Sequence, residues 1–489
     1  MTVARQFRRA AAAKAADPRH RAVLEKNIST YDAAVALGKT RYADWENARS
    51  VAAQIKWEAV NHLDHHLEQF ERAVVENGGR VFWAETAEDA CHYIVELARQ
   101  RGVQKVVKSK SMVTEEIHLN AAFAAAGIES IETDLGEFIC QLRGESPYHI
   151  VTPIMHLTKA DVVALFHEKF GTPLTASAEE LAGVARKQLR HAFLTADMGV
   201  TGANFLVADT GMVALSTNEG NGRLSVSLPR IHVVVAGIEK VIPRFENLAV
   251  LWPVLAQFGT GQGVTAYNTL VGGSQRDSEP DGPKEFHVVL LDNGRTRLLA
   301  DAEQRDALHC IRCGACLNAC PVYKNIGGHA YGTTYQGPIG SVITPHLRDA
   351  EQWSHLSYAS SLCGACSDVC PVRIDIHHHL LHNRRNAVRR KFDNPFQRLA
   401  FKAWLWMMQD ATRYRVGGKL ARLAVRFGLA TLLAKAWTQG RELPGVPDQS
   451  FRNWWQHHEH CHPERSEGPH NASDSEALRC AQHDKEEKR

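Results

Sequence analysis

Hydrophobic positions near the start of the chain recur at helical spacing. Four of them lie three or four residues apart: Leu24, Ile28, Tyr31 and Val35. Apolar residues keep this period between Ala43 and Val75. Such a pattern places the apolar side chains on one face of a helix. We therefore predict an N-terminal helical segment within residues 1–80.

Residues 80–295 change to short runs of β-branched and aromatic residues. These runs lie at 81–83, 103–107, 128–131, 205–207, 212–215, 231–236 and 286–291. Helix-like segments such as 87–100 and 114–126 lie between some of them. Alternation of this kind is typical of an α/β domain. Asp209-Thr210-Gly211, between two of the runs, predicts a hairpin turn.

After residue 300 the pattern changes again. Glycines and prolines are frequent in the 42 residues between Cys320 and Cys363, so we predict mostly loop there. Apolar residues interrupted by Arg and Lys predict a helical C-terminal region over 391–445. Residues 446–489 lose this periodicity and become polar and charged, which predicts a disordered tail.

Composition narrows the functional class. A chain of 489 residues has room for roughly two to four domains. Its net charge of +3 argues against a nucleic-acid-binding protein, in which a concentrated basic face is expected. No apolar run reaches the ~18 residues of a membrane-spanning helix. We therefore expect no nucleic-acid partner and no transmembrane segment.

The N-terminal sequence helps to predict the cellular compartment of the protein. Arg8-Arg9 precede an alanine run, but Lys14 and Asp17 interrupt the apolar stretch that an export signal needs. We therefore expect a cytoplasmic protein, with peripheral contact at the inner face of the membrane left open. Thiols stay reduced in that compartment, so closely spaced cysteines there indicate metal or cluster ligation.

Seven of the eleven cysteines fall in two blocks, each followed by a proline. The first block reads C-x2-C-x2-C-x3-C-P, with Cys310, Cys313, Cys316 and Cys320. The second reads C-x2-C-x3-C-P, with Cys363, Cys366 and Cys370. This spacing is the bacterial ferredoxin signature, in which the fourth cysteine of a run binds the other cluster. Two zinc ions fit seven cysteines in this order less well.

The signature predicts crossed ligation of two iron–sulfur clusters, and we predict [4Fe–4S] for both. Cluster one takes Cys310, Cys313, Cys316 and Cys370, and cluster two takes Cys320, Cys363 and Cys366. Ser360 stands where a full second block would have its first cysteine. Three outcomes stay open for cluster two: a fourth ligand such as Ser360, a [3Fe–4S] cluster, or a cube with one open iron.

Three stretches resemble the lactate-utilisation protein B family: CIRCGACLNACPVYKNIGGHAYG (310–332), SSLCGACSDVCPV (360–372) and GVTGANFLVADTGMVALSTNEGNGR (199–223). The family consists of iron–sulfur subunits of a three-part bacterial system that oxidises L-lactate to pyruvate. The resemblance implies a CoA-transferase or ribose-phosphate-isomerase-like fold for residues 80–295. It also implies a helical dicluster ferredoxin domain over 300–390, and in this family a serine at the position of Ser360 is usual.

Three weaker patterns lie in the α/β region. Glu219 follows a strand in a small-residue turn, as the nucleophile of CoA-transferases does, and the alternative is a polar turn without catalysis. The stretch 108–111 (Lys-Ser-Lys-Ser) precedes a helix and predicts either anion binding or helix capping by Ser111 or Thr114. The glycine-rich stretch 259–263 is expected to line the α/β cleft.

The favoured hypothesis is an electron-transfer subunit that works with other subunits of a lactate-oxidising complex. The catalytic residues are then unknown and lie on a partner. The alternative is an enzyme in its own right, in which Glu219 or an open iron of cluster two acts on a small organic acid. A structural scaffold is the third hypothesis. The sequence leaves open whether the chain alone is an enzyme.

Overall fold

The computed structural model of the chain describes residues 2–392, 395–428, 445, 447 and 449–458. The chain divides into two compact units, Met1–Phe392 and Asp393–Arg489. Among the described residues, no helix has the length and apolar character needed to cross a bilayer.

Helices make up most of the first unit. They are α1 (Val3–Ala15), α2 (Pro18–Lys39), α3 (Trp45–Asn61), α4 (Leu63–Glu76), α5 (Ala87–Gln100), α6 (Met112–Glu116), α7 (Leu119–Ala125), α8 (Leu135–Arg143), α9 (Lys159–Phe170), α10 (Ala178–Thr195), α11 (Asn221–Ser227), α12 (Leu248–Thr260), α13 (Arg295–Leu299), α14 (Ala315–Ala319), α15 (Pro321–Ile326), α16 (Gly337–Leu347), α17 (Ala350–Trp353), α18 (Ala365–Asp368) and α19 (Ile376–Arg389). Short 3-10 helices lie at Ile238–Lys240, Phe245–Asn247, Arg305–His309, His329–Tyr331 and Ser354–Tyr358.

Two sheets form the α/β region. The strands are β1 (Arg80–Ala84), β2 (Lys105–Lys108), β3 (Glu129–Glu132), β4 (Met198–Thr201), β5 (Phe205–Val207), β6 (Met212–Thr217), β7 (Ile231–Gly237), β8 (Val241–Ile242), β9 (Tyr267–Val271) and β10 (Glu285–Leu291). The six-stranded sheet has the order β1-β10-β7-β4-β2-β3 and is parallel throughout. The four-stranded sheet has the order β8-β5-β6-β9.

The predicted α/β character of residues 80–295 is confirmed. Strand β7 is buried along its whole length, as expected for a central strand covered on both faces. Strands β5 and β6 pair antiparallel around Asp209-Thr210-Gly211, so the predicted hairpin is present. Strand β4 was not predicted, because Gly199 interrupts its apolar run. A Cβ at this position would lie 1.8 Å from the Ser225 carbonyl oxygen, so only glycine lets α11 approach β4 this closely.

The prediction of mostly loop between Cys320 and Cys363 is wrong. Helices α15, α16 and α17 and two 3-10 helices occupy most of this segment. Pro338 lies in the first turn of α16, where its missing N–H costs no hydrogen bond. A Cβ at Gly340 would lie 2.0 Å from the Tyr335 carbonyl oxygen. The glycines and prolines here thus serve close packing of a buried helix, in which every residue except His346 is buried.

The second unit is described in part. The predicted C-terminal helical region contains α20 (Pro395–Met408) and α21 (Ala411–Arg426), which bury no residue. The predicted disordered tail includes a helix, α22 (Phe451–His458), within residues 446–489. Residues 429–444 and 459–489 lie outside the described part of the chain.

Candidate metal centre

The two cysteine blocks share one backbone geometry. In the first block, Arg312 has a φ of +62° and Gly314 a φ of +82° on either side of Cys313. In the second block, Leu362 has a φ of +56° and Gly364 a φ of +83° on either side of Cys363. Positive φ at a non-glycine residue is uncommon and concentrates at functional sites. The repeat seen in the sequence is therefore also a repeat of a strained turn.

Backbone N–H groups point at the side chains of the blocks. The Arg312 N–H donates to Cys310 Sγ at 3.4 Å, and the Leu362 N–H donates to Ser360 Oγ at 3.1 Å. Ser360 therefore occupies in the second block the place that Cys310 has in the first. N–H groups also donate to Cys320 Sγ and Cys370 Sγ, at 3.5 Å and 3.3 Å. Such hydrogen bonds stabilise anionic sulfur and tune clusters bound to it.

Charge interactions divide the seven cysteines into two groups. In the first group, burial raises the pKa of the Cys313 and Cys316 thiols, and the nearby thiolates of Cys310 and Cys370 raise it further. Cys370 thus lies beside cysteines of the other block. We call Cys310, Cys313, Cys316 and Cys370 the first cysteine group.

The second cysteine group consists of Cys320, Cys363 and Cys366. Burial raises the pKa of the Cys366 thiol to about 11, and the Cys320 thiolate contributes to the increase. Burial also raises the pKa of Cys320, which interacts with Cys363. The structure therefore brings each predicted ligand set together, while the identity of the ligands stays a prediction.

The first cysteine group lies in a buried, cationic environment. The charges of Lys56, Lys240 and Arg312 all interact with Cys310. Burial lowers the pKa of the Lys56 ammonium to about 7, and Lys56 Nζ donates to the Glu239 carbonyl at 2.7 Å. Arg49, from α3, donates to the Cys370 carbonyl through Nη2 at 2.9 Å. The predicted N-terminal helical segment therefore packs directly against the cysteines.

One member of the second cysteine group reaches the surface, whereas Cys320 and Cys366 are buried. Cys363 is exposed, and its pKa is lowered chiefly by the hydrogen bond from the Ala365 backbone. Lys324, also partly exposed, interacts with Cys320. The two groups thus differ in solvent access and in the number of surrounding cations.

These donors fit iron–sulfur clusters. Thiols buried beside one another are costly to ionise, and a bound metal stabilises their thiolate form. Clusters with thiolate ligands are anionic, so the N–H donors and the cations Lys56, Lys240 and Arg312 match their charge. When bound, such clusters accept and release single electrons.

A buried ion network joins the α/β region to the cysteine region. Arg295 pairs with Glu116 at 2.8 Å and with Glu239 at 2.5 Å. Tyr335 donates to Glu116 Oε2 at 2.7 Å, and Arg312 Nη2 lies 3.3 Å from Glu239 Oε1. Burial alone would raise the pKa of Glu239, but Arg295 and Arg312 lower it to about 2. No local sequence pattern predicts this network, because its members are far apart along the chain.

Glu219 lines a cavity of about 450 Å³ that also reaches Cys313. Its Oε2 accepts a hydrogen bond from the Leu135 N–H at 3.2 Å. The side chain is partly open to solvent, yet the surrounding protein and the Asp134 carboxylate raise its pKa to about 7. As expected from the sequence, Gly259, Thr260 and Gln262 line the same cavity. The polar turn at Glu219 thus lies at the cavity while its side chain stays exposed to solvent.

The anion-binding interpretation of residues 108–111 is wrong for Lys108. This side chain is fully buried and pairs with Glu132 at 2.7 Å. Burial favours the neutral amine, but Glu132 and Glu137 outweigh it and raise the pKa above its ordinary value. Ser111 caps the following helix by accepting from the Thr114 N–H at 3.3 Å, so the capping alternative holds. Lys110, by contrast, lines the cavity.

Comparison with known proteins identifies three family models along the chain. A LUD domain matches residues 67–291, a 4Fe-4S dicluster domain matches 306–374, and a model described as lactate utilisation protein B, C-terminal, matches 386–460. The dicluster match covers both cysteine blocks. It supports iron–sulfur binding by this chain.

Curated relatives match most of the chain. "Lactate utilization protein B" of a Geobacillus species is 43% identical over 425 residues, covering 85% of this chain and 89% of the relative. The proteins of the same name from Oceanobacillus iheyensis and Bacillus velezensis are 42% and 43% identical, over 84% and 85% of this chain and 88% and 89% of theirs. With 42–43% identity to these relatives over most of its length, the chain belongs to the lactate utilisation protein B family.

Proposed function

We propose that this protein is the iron–sulfur electron-transfer subunit of a multi-subunit system that oxidises L-lactate to pyruvate. Oxidation of lactate releases two electrons and two protons, whereas iron–sulfur clusters carry electrons singly. Two closely placed cluster sites can accept the two electrons of lactate one at a time. The observation that carries the proposal is that each of the two cysteine groups contains cysteines from both blocks.

The two groups have different places in the proposed electron path. The exposed Cys363 makes the second cysteine group the point nearest to a partner protein. The first group is buried among Lys56, Lys240 and Arg312, whose positive charges favour the reduced, more negative cluster. Electrons that enter through the second cluster would therefore be held more tightly at the first.

Reduction by lactate tests the proposal. The protein, purified anaerobically with its clusters, is mixed with L-lactate alone and then with L-lactate and the other subunits. We expect the visible absorbance of the clusters to bleach only when the other subunits are present. Bleaching by L-lactate with the single chain would instead favour the alternative in which this chain is itself the enzyme. Failure to bleach with all subunits present, although dithionite reduces the clusters, would overturn the proposal.

Ser360 holds the fourth ligand position of cluster two in this proposal. Support comes from the matching hydrogen bonds, Arg312 N–H to Cys310 Sγ and Leu362 N–H to Ser360 Oγ. Cluster two is then a [4Fe–4S] cube with three thiolates and one hydroxyl-derived ligand. The [3Fe–4S] and open-iron alternatives lack a ligand at that corner.

Replacing Ser360 by cysteine is expected to change the EPR signal of cluster two and leave that of cluster one unaltered. A sulfur in place of oxygen completes the four-cysteine set of an ordinary [4Fe–4S] cluster. The control is Ser354→Cys, a half-buried serine of the same segment whose hydroxyl donates to the Glu351 carbonyl. An unchanged cluster-two signal in Ser360→Cys would show that residue 360 lies away from the iron.

The fold of the α/β region is proposed to be similar to CoA-transferases and ribose-phosphate isomerases. The six-stranded parallel sheet and the position of Glu219 at a cleft support this proposal. A cytoplasmic location stays a prediction, resting on the need to keep the cysteines reduced until they bind clusters.

A further inference from the structure

The 450 Å³ cavity lies where the parallel sheet meets the first cysteine group. Its lining residues from the sheet follow the carboxyl ends of four strands: Ser109 follows β2, Asp134 follows β3, Gly202 follows β4 and Lys240 follows β7. In open α/β sheets, ligands bind beyond the carboxyl ends of the strands. Arg312 and Cys313 line the opposite side. The cavity thus joins a typical ligand-binding edge to a predicted cluster ligand.

Lys240 is a buried residue at the wall of this cavity. Its side chain lines the cavity, and only 6% of the residue is exposed. Within the part of the chain that the structure describes, Lys240 Nζ has neither a hydrogen bond nor an ion pair; the nearby Glu239 carboxylate is engaged by Arg295 and Arg312. An ammonium that has no acceptor from the protein has to be solvated from the cavity. An anion in the cavity would supply the missing acceptors.

Arg312 offers a second donor. Its Nη2 pairs with Glu239, but its buried Nη1 has no hydrogen-bond partner among the described residues. The guanidinium lies over the Tyr335 ring, 4.6 Å from its centroid, which fixes its plane. A planar guanidinium and a neighbouring ammonium together match the two oxygens of a carboxylate.

The outer part of the cavity is lined by hydroxyl and carboxyl groups together with one lysine. Ser216, Thr217 and Glu219 line it from the end of β6, and Lys110 lines it from the segment after β2. The charge interactions of Glu219 involve Asp134 and Lys110, whereas those of Lys240 involve Arg312 and Cys310. A ligand in this cavity would thus meet cations at the inner end and hydroxyl and carboxyl groups at the outer end.

We propose that this cavity binds a small 2-hydroxy or 2-oxo acid, with its carboxylate between Lys240 and Arg312. The identity of the acid rests on the proposed function, in which L-lactate and pyruvate are the substrate and product of the system. The carboxylate gives the Lys240 ammonium the acceptor that it lacks and lies beside the Arg312 guanidinium, and the adjacent oxygen meets the hydroxyl groups of the outer part. Since Cys313 lines the same cavity, the bound acid lies beside the first cysteine group.

Binding of L-lactate and of pyruvate to the anaerobically purified, cluster-loaded chain tests the proposal by calorimetry. We expect one of these acids to bind, and Lys240→Met to weaken its binding at least about tenfold, as loss of a charged hydrogen bond predicts. Methionine fills a similar volume and removes the charge, and iron content is measured on every variant so that loss of a cluster is distinguished from loss of binding. Lys240→Arg should retain most of the affinity, and the exposed Lys284→Met serves as control.

Three results would overturn the proposal: no binding of either acid, binding that Lys240→Met leaves unchanged, or inorganic phosphate binding as tightly as both acids. Should Lys240→Met lose its clusters, Lys110→Met takes its place, with a weaker but measurable loss of affinity expected. A bound acid should also alter the EPR signal of cluster one and not that of cluster two. If neither acid binds but the clusters are still reduced with the other subunits present, only the cavity proposal fails.

Discussion

Replacing Cys370 by alanine is expected to abolish the same cluster that Cys310→Ala abolishes, although the two residues lie in different blocks. Each variant should lose about half of its iron, since each [4Fe–4S] cluster needs its full thiolate set. Both variants should affect the same cluster because Cys370 interacts with Cys310 and Cys313 in the structure. The measurement is iron content together with low-temperature EPR of the dithionite-reduced protein.

Cys320→Ala and Cys363→Ala provide the complementary pair, and both should abolish the other cluster. Cys91→Ala is the control, because this half-buried thiol donates to the Ile117 carbonyl far from both groups. Crossed ligation would be refuted if Cys370→Ala removed the cluster that Cys363→Ala removes. Each block would then hold its own cluster.

Replacing Arg295 by leucine is expected to lower the free energy of unfolding by about 3–5 kcal/mol. The substitution leaves Glu116 and Glu239 buried without their main counter-charge. Arg297→Leu, two residues further along α13, is the matched control, because Arg297 is exposed and loses one hydrogen bond to the His346 carbonyl, which is expected to cost no more than about 1 kcal/mol. Urea unfolding of the cluster-loaded protein measures both. A loss no larger than that of the control would contradict this role of the network.

The pH dependence of the same variant follows from the pKa values. Glu239 has its pKa lowered to about 2, so its ion pairs stabilise the wild type above the ordinary pKa of a carboxyl and are lost as the pH falls toward 2. Without Arg295, burial instead raises the pKa of Glu116 and Glu239, and protonation relieves the unpaired charges. The difference in free energy of unfolding between the wild type and Arg295→Leu should therefore become smaller as the pH is lowered from 7 to 5.

The strands with continuous β-branched runs were predictable, and those without were not. The run at 231–236 became the buried β7, because a strand covered on both faces must be apolar throughout. Strand β4 contains Gly199, and β8 has only two residues, so neither carries a local signal. Likewise, the glycines of α16 led to a prediction of loop. The contact with Tyr335 that requires a glycine cannot be predicted from the order of residues along the chain.

The sequence by itself determined the chemistry of this protein. Seven cysteines at ferredoxin spacing predict cluster ligation, because three thiolates on one short turn can hold three corners of a cube. Only the tertiary structure decided the environment of those thiolates: the buried Lys56, Lys240 and Arg312 beside one group, the solvent beside Cys363, and the cavity that ends at Cys313. Burial and charge depend on contacts between residues distant in sequence, and the local spacing of residues carries no record of them.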